Sequence, residues 1–145
     1  MMSLHYGSQF TWNFTDQPWN GYASLEEFYN SYDNSDKRKE SNFIAGEQSD
    51  FNGLNLNDYA ADDSNILLNY SPANTGGIYP NGTREAGARL GKFSMKQFGR
   101  SDMSNDYPII RLGDMYLVRA EANARLNSNW SLALDDVNII RRRAG

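Results

Sequence analysis

The chain has 145 residues, with 14 Lys and Arg against 18 Asp and Glu, and no cysteine. The net charge of −4 supplies no basic surface for a nucleic-acid backbone, and the missing cysteines exclude disulfides, thiolate nucleophiles and Cys-based zinc sites. Leu, Ile, Val and Phe make up under a fifth of the residues, yet Phe, Trp and Tyr reach 13% and the net charge is small, which describes an aromatic-rich, loop-heavy binding protein better than a disordered one.

In chain order, residues 2–10 are expected to form a short strand. Residues 11–23, TWNFTDQPWNGYA, form an aromatic loop broken at Pro18 and Gly21. Ser24 is a candidate N-cap for a short helix, with Glu27 completing a capping box. Leu25, Phe28, Tyr29 and Tyr32 follow at i, i+3, i+4 and i+7, an apolar helical stripe. Asp36 opens a polar turn, and Asn42 to Gly46 reads as a short strand. Residues 50–63 are polar loop, Ile66 to Tyr70 a second short strand, and 71–89 a connector rich in Pro, Gly and Asn. Leu90 to Phe98 alternates loosely and is expected to be extended.

The last 39 residues, Tyr107 to Gly145, are the most regular. Ile110, Gly113, Leu117, Ala120 and Ala124 hold one helical face, and Ala133, Val137, Ile140 and Ala144 hold another. Asn127, Ser128 and Asn129 suit a helix end followed by a new cap. Arg111 with Asp114, and Glu121 with Arg125, sit at ion-pair spacings along the first helix. The Arg141–Arg143 run falls at a helix C-terminus, where cations offset the dipole. Trp130 is expected to pack as a staple at the start of the second helix or to cap the hairpin. Leu112-Gly113-x-x-Tyr116 has a tetratricopeptide flavour.

The run Arg111-Leu112-Gly113-Asp114-Met115-Tyr116-Leu117-Val118-Arg119-Ala120-Glu121-Ala122 resembles the "R-[YL]-[AG]-[DE]-x-x-L-x-x-A-E-A" helix of the SusD/RagB family, and Val137 to Gly145 resembles its "VNxxRxRAG" helix end. Upstream, Trp19-Asn20-Gly21-Tyr22 with Leu25, Phe28 and Tyr29 resembles the family's W-N-G…F-Y segment. Asp36-Lys37-Arg38 is similar to its D-K-R step, and Gly87 to Lys92 to its G-x-R-x-x-K strand. The resemblance implies a mainly α fold with loops and a few short strands, ending in a tetratricopeptide-like helical hairpin. Residues 1–106 would be the loop-rich ligand side and 107–145 the hairpin, both parts of a single domain. It further implies a non-enzymatic lipoprotein on the outer face of the outer membrane that captures oligosaccharide or polysaccharide for a TonB-dependent transporter, with no cofactor. Residues 1–10 show neither a signal peptide nor a lipidated cysteine, so the anchor is expected in a longer parent chain.

Trp12, Phe14, Trp19, Asn20 and Tyr22 are the candidate glycan-binding residues. Sugar rings present an apolar C–H face with a fringe of hydroxyls, and bind flat aromatics interleaved with amides. The competing role for these rings is to anchor the loop to the core. A second loop, Tyr70 to Tyr79, is a weaker candidate rim. His5, the single histidine, has no acidic neighbours in sequence to make a metal site. Asp33, Asp36, Asn57, Asp58, Asp62 and Asp63 are hard oxygen donors without a calcium-loop pattern. The adjacent pairs Glu26-Glu27 and Asp62-Asp63 diverge too far for glycosidase chemistry. A second reading of the whole chain is a helical-repeat scaffold that binds protein partners. Solvent-exposed tryptophans in residues 11–23 would favour the sugar site over the scaffold.

Overall fold

In a computed structural model of the chain, the structure describes residues 2–58, 66–73, 83–102, 104–126 and 129–145. Two compact units emerge, one comprising Met1–Asn34 with Arg38–Ser104, the other Ser35–Lys37 with Asn105–Gly145.

The first unit opens with a 3-10 turn, Tyr6–Ser8, that runs into helix α1, Gln9–Trp12. The strand expected over residues 2–10 does not form. His5 caps the turn, its Nδ1 accepting from the Gly7 N–H at 3.1 Å, and the fully buried residues Leu4, His5 and Ser8 follow a helical spacing, not an alternating one. Asn13, in the left-handed region at φ 49°, ends α1.

Helix α2, Glu26–Asn30, lacks the expected capping box. Leu25 holds the cap position with no side-chain bond. Ser24 is pinned elsewhere, its N–H donating to Ala88 O and its hydroxyl to Leu25 O. The aromatic stripe does form, for three of its four residues: Phe28, Tyr29 and Tyr32 all meet Phe43 edge-on, while Leu25 is exposed. The turn expected at Asp36 leads into a short polar helix, α3, Lys37–Asn42.

Four two-residue strands follow: β1, Phe43–Ile44; β2, Gly46–Glu47; β3, Asn69–Tyr70; and β4, Arg89–Leu90. β1 pairs antiparallel with β4, Phe43 opposite Leu90, and β2 with β3, Gly46 opposite Tyr70. The strand expected over 42–46 therefore divides, because Gly46 at φ +87° turns the chain between partners. The extended run expected over 90–98 stops after Leu90, since Phe93 and Phe98 adopt φ of +68° and +59°. Leu4, Leu68, Tyr70 and Ala88 are wholly buried in this unit. Tyr70 is core, which removes it from the rim proposed on sequence; residues 74–79 of that loop lie outside the described residues.

The second unit is a helical hairpin of α4, Leu112–Leu126, and α5, Trp130–Ala144. The face expected on α5 is in place, with Ala133 and Ala144 buried and Val137 and Ile140 half-buried. On α4 Ala120 is buried and Gly113 and Ala124 are half-buried, while Leu117 is exposed and Ile110 is exposed and precedes the helix. Gly113 keeps its backbone close to Ile140, whose Cδ1 would lie 3.5 Å from an added Cβ. Asn129 caps α5 by accepting from Leu132 N–H; Asn127 and Ser128 lie outside the described residues. Both sequence-spaced ion pairs form, Arg111 with Asp114 and Glu121 with Arg125. Trp130 is 68% exposed, so it does not serve as a staple. Short strands, loops and a terminal helix pair together give the mainly α architecture expected.

Candidate functional site

Three segments of the first unit converge on a cavity of about 450 Å³, within the size range of small-ligand sites. Phe43 is its hub. Edge-to-face contacts at 5.6, 5.2 and 5.4 Å bring Phe28, Tyr29 and Tyr32 around it, an arrangement that suits the opposite polarity of ring faces and edges. Lys39 steadies this wall, its Nζ lying 4.5 Å from the Tyr29 ring centre and donating to Tyr32 O and Asn34 Oδ1.

The second side of the cavity comes from the aromatic loop. Gly21 N–H donates to Met2 O and Asn20 N–H to Leu4 O, and these bonds set Tyr22 at the mouth. Tyr22 is 49% exposed and lines the cavity with Phe28, Tyr32 and Phe43. The third side follows β4. Gly91 N–H donates to Asn42 O, and an added Cβ at Gly91 would lie 3.1 Å from Ile44 Cγ1. That close approach carries Lys92, Phe93 and Met95 onto the cavity wall.

Of the five residues singled out on sequence, only Tyr22 lines this cavity. Trp19 stands 66% exposed. Asn20 sits in the left-handed region at φ 53°, donates from Nδ2 to Arg84 O, and keeps a buried Oδ1 with no partner. Trp12 and Phe14 stack with centroids 5.6 Å apart and planes 16° from parallel. Phe14 is 4% exposed, so its ring backs Trp12 and offers no free face. Their loop is tied down by Phe98 N–H to Trp12 O and by Ser101, which donates to Asp16 Oδ2 from both its N–H and its hydroxyl. The Ser101 N–H is the main reason the Asp16 carboxyl is held below its ordinary pKa.

Phe28, Tyr32, Phe43, Lys92 and Phe93 were not recognised as site residues from sequence. The stripe on α2 was visible, but nothing in a single sequence shows that it faces Phe43, since that depends on a pairing between residues 43 and 90.

A separate polar cluster lies beneath the loop. His5 and Asp58 are buried with Nε2 and Oδ1 3.1 Å apart. Because Nδ1 accepts from Gly7, the neutral ring carries its hydrogen on Nε2, facing Asp58. Tyr70 OH accepts from His5 N–H and shares a hydrogen bond with Ser8 Oγ. Arg89 lies over the Tyr70 ring and donates to Arg84 O. Burial lowers the His5 and Arg89 pKa values and raises that of Tyr70. With both imidazole nitrogens engaged inside the core, the cluster is structural. No group of three or more His, Asp or Glu side chains able to hold a metal occurs among the described residues; Asp62 and Asp63 lie outside them.

An aromatic cavity on a loop-rich unit and a tetratricopeptide-like hairpin describe a binding protein. The family model of the SusD family matches residues 4–145. The chain belongs to that family, whose members are binding proteins associated with glycan capture and nutrient uptake at the outer membrane. No curated protein and no solved structure matches the chain. No helix among the described residues is long and apolar enough to cross a membrane.

Proposed function

We propose that the chain is part of a single SusD-like domain that binds an oligosaccharide at the cell surface and delivers it to a TonB-dependent outer-membrane transporter. The observation that carries this reading is the half-exposed Tyr22 at the mouth of a cavity walled by aromatic rings, the surface that a sugar's C–H face needs. Trp19, exposed two residues before Gly21, offers a further ring on the same loop. Trp12 on its Phe14 backing gives another ring. An exposed tryptophan in this loop supports a sugar site over a pure scaffold.

The test is titration of the full chain with oligosaccharides, followed by Tyr22→Ala. Binding weakened by that change supports the proposal, and unaltered affinity removes Tyr22 from the site. Delivery is checked by co-purification with a TonB-dependent transporter from detergent-solubilised outer membranes; a chain recovered without one would sink that part.

The scaffold reading keeps one observation in its favour. Leu117, Ala124, Trp130, Leu134 and Val137 line an apolar groove of about 380 Å³ on the hairpin, a surface suited to another helix.

A further inference from the structure

The cavity has one charged lining residue among those described. Lys92 is that residue, and no carboxylate lines the space with it. Its ammonium lies 5.7 Å from the Phe93 ring centre, and no ion pair or hydrogen bond to a carboxylate engages it among the described residues. The chain as a whole carries a net charge of −4, so a lone cation here runs against the general balance.

The backbone around Lys92 is built to hold it there. Gly91 packs tightly against Ile44, an added Cβ lying 3.1 Å from its Cγ1, and its N–H is bonded to Asn42 O. Phe93 occupies the left-handed region at φ +68°, a conformation that is strained for a residue with a side chain and persists where surroundings enforce it. Asn42 also lines the space, its Nδ2 3.5 Å from the Tyr32 hydroxyl. The lining residues therefore bring aromatic rings, the hydroxyls of Ser3, Tyr22 and Tyr32, one amide and a single charged group, the Lys92 ammonium.

We infer that the cavity takes a sugar ring bearing an anionic substituent, its C–H face against Tyr22 and its charged group on Lys92 Nζ. This rests on the glycan-binding reading and narrows it to acidic saccharides. A carboxylate and a sulfate ester share the chemistry that Lys92 recognises, since an ammonium acts as a point charge without the planar fork of a guanidinium.

Three probes of equal length separate the outcomes on the full chain: a galacturonic acid tetramer, a sulfated galactose tetramer and a neutral galactose tetramer. One anionic probe is expected to bind roughly tenfold more tightly than the neutral one, about 1.4 kcal/mol, as for one charge-assisted hydrogen bond at a half-enclosed site. Which of the two does so identifies the substituent. Lys92→Gln is expected to erase that advantage and Lys92→Arg to keep most of it, with far-UV circular dichroism showing that both variants still fold. Neutral and anionic probes binding equally, with Lys92→Gln unchanged, would overturn the inference and leave the glycan-binding reading standing. No binding of any probe would overturn both.

Discussion

Arg119 on α4 and Asp136 on α5 form a two-pronged ion pair, with Nε to Oδ2 at 2.8 Å and Nη2 to Oδ1 at 2.6 Å. Asp136 is buried in the hairpin while Arg119 reaches it from the solvent side, its ring neighbour Tyr116 lying 5.3 Å below the guanidinium. Hydrogen bonds from Arg119 are the largest cause of the lowered Asp136 pKa. A depressed carboxylate contributes stability that is present above its unfolded value of 3.8 and lost as pH falls through the folded one. Asp136→Asn is therefore expected to lower the melting temperature at neutral pH, and to narrow its gap from the parent chain as the buffer is acidified below 3.8. Thermal melts followed by circular dichroism at neutral and acid pH check it; a constant gap would show that the pair contributes nothing through charge.

The single histidine makes a second pH test clean. Burial holds the His5 imidazole below its ordinary value of 6.5, against the attraction of Asp58. The neutral ring is thus favoured in the folded state. Its contribution is complete above 6.5 and declines as pH falls from there toward the folded value. Protonation also places a hydrogen on Nδ1 opposite the Gly7 N–H, breaking the cap on the Tyr6–Ser8 turn. Melting temperature is expected to fall between about pH 7 and about pH 5, a range in which exposed carboxylates scarcely titrate. His5→Gln should flatten that slope, and a slope unchanged in the variant would place its origin elsewhere.

Phe43 joins stability to the cavity. It is 6% exposed and meets three aromatic rings, so Phe43→Ala is expected to cost about 3–5 kcal/mol. Urea unfolding measures the loss. Phe43→Leu should recover much of it, because the volume is largely kept, while still altering the cavity wall.

Tyr22 and Trp19 make the converse prediction. Both are substantially exposed, so alanine at either position should change stability by no more than about 0.5 kcal/mol. Loss of one stacking ring is worth about 0.5–1.5 kcal/mol, so Tyr22→Ala is expected to weaken saccharide binding about two- to thirteenfold. For Trp19 the sensitive readout is fluorescence: acrylamide quenching protected by bound saccharide in the parent chain, and that protection diminished in Trp19→Phe. Equal quenching with and without saccharide would set Trp19 outside the site.

What could be read from sequence divides along range. The hairpin was legible because α4 and α5 each repeat their apolar residues every three to four positions, and because both ion pairs on α4 lie within one turn. Arg119 and Asp136 were invisible as partners, since neither spacing nor composition says which faces of two helices meet. In the first unit, the stripe of Phe28, Tyr29 and Tyr32 was readable, whereas its contact with Phe43 and the placement of Lys92 depend on β1 meeting β4. The misread segments share a cause. At 2–10 and 90–98, single side-chain bonds and left-handed residues decide the path, and periodicity carries no record of either. Likewise the loss of the Ser24 cap follows from a bond to Ala88, a neighbour only in space.

The two ladders of the first unit are nested: Gly46 meets Tyr70 inside the span closed by Phe43 and Leu90. Nesting makes one order of assembly entropically cheaper. Zipping β2 to β3 first leaves β1 and β4 joined by a much shorter effective tether, so the outer pair then forms at reduced entropic cost. Closing the outer pair first has no such help. The hairpin of α4 and α5, whose partners are close neighbours in the chain, has no comparable search to complete. The aromatic cavity has its wall completed only where Phe43 and Leu90 pair, so a ligand held there is expected to stabilise that outer closure.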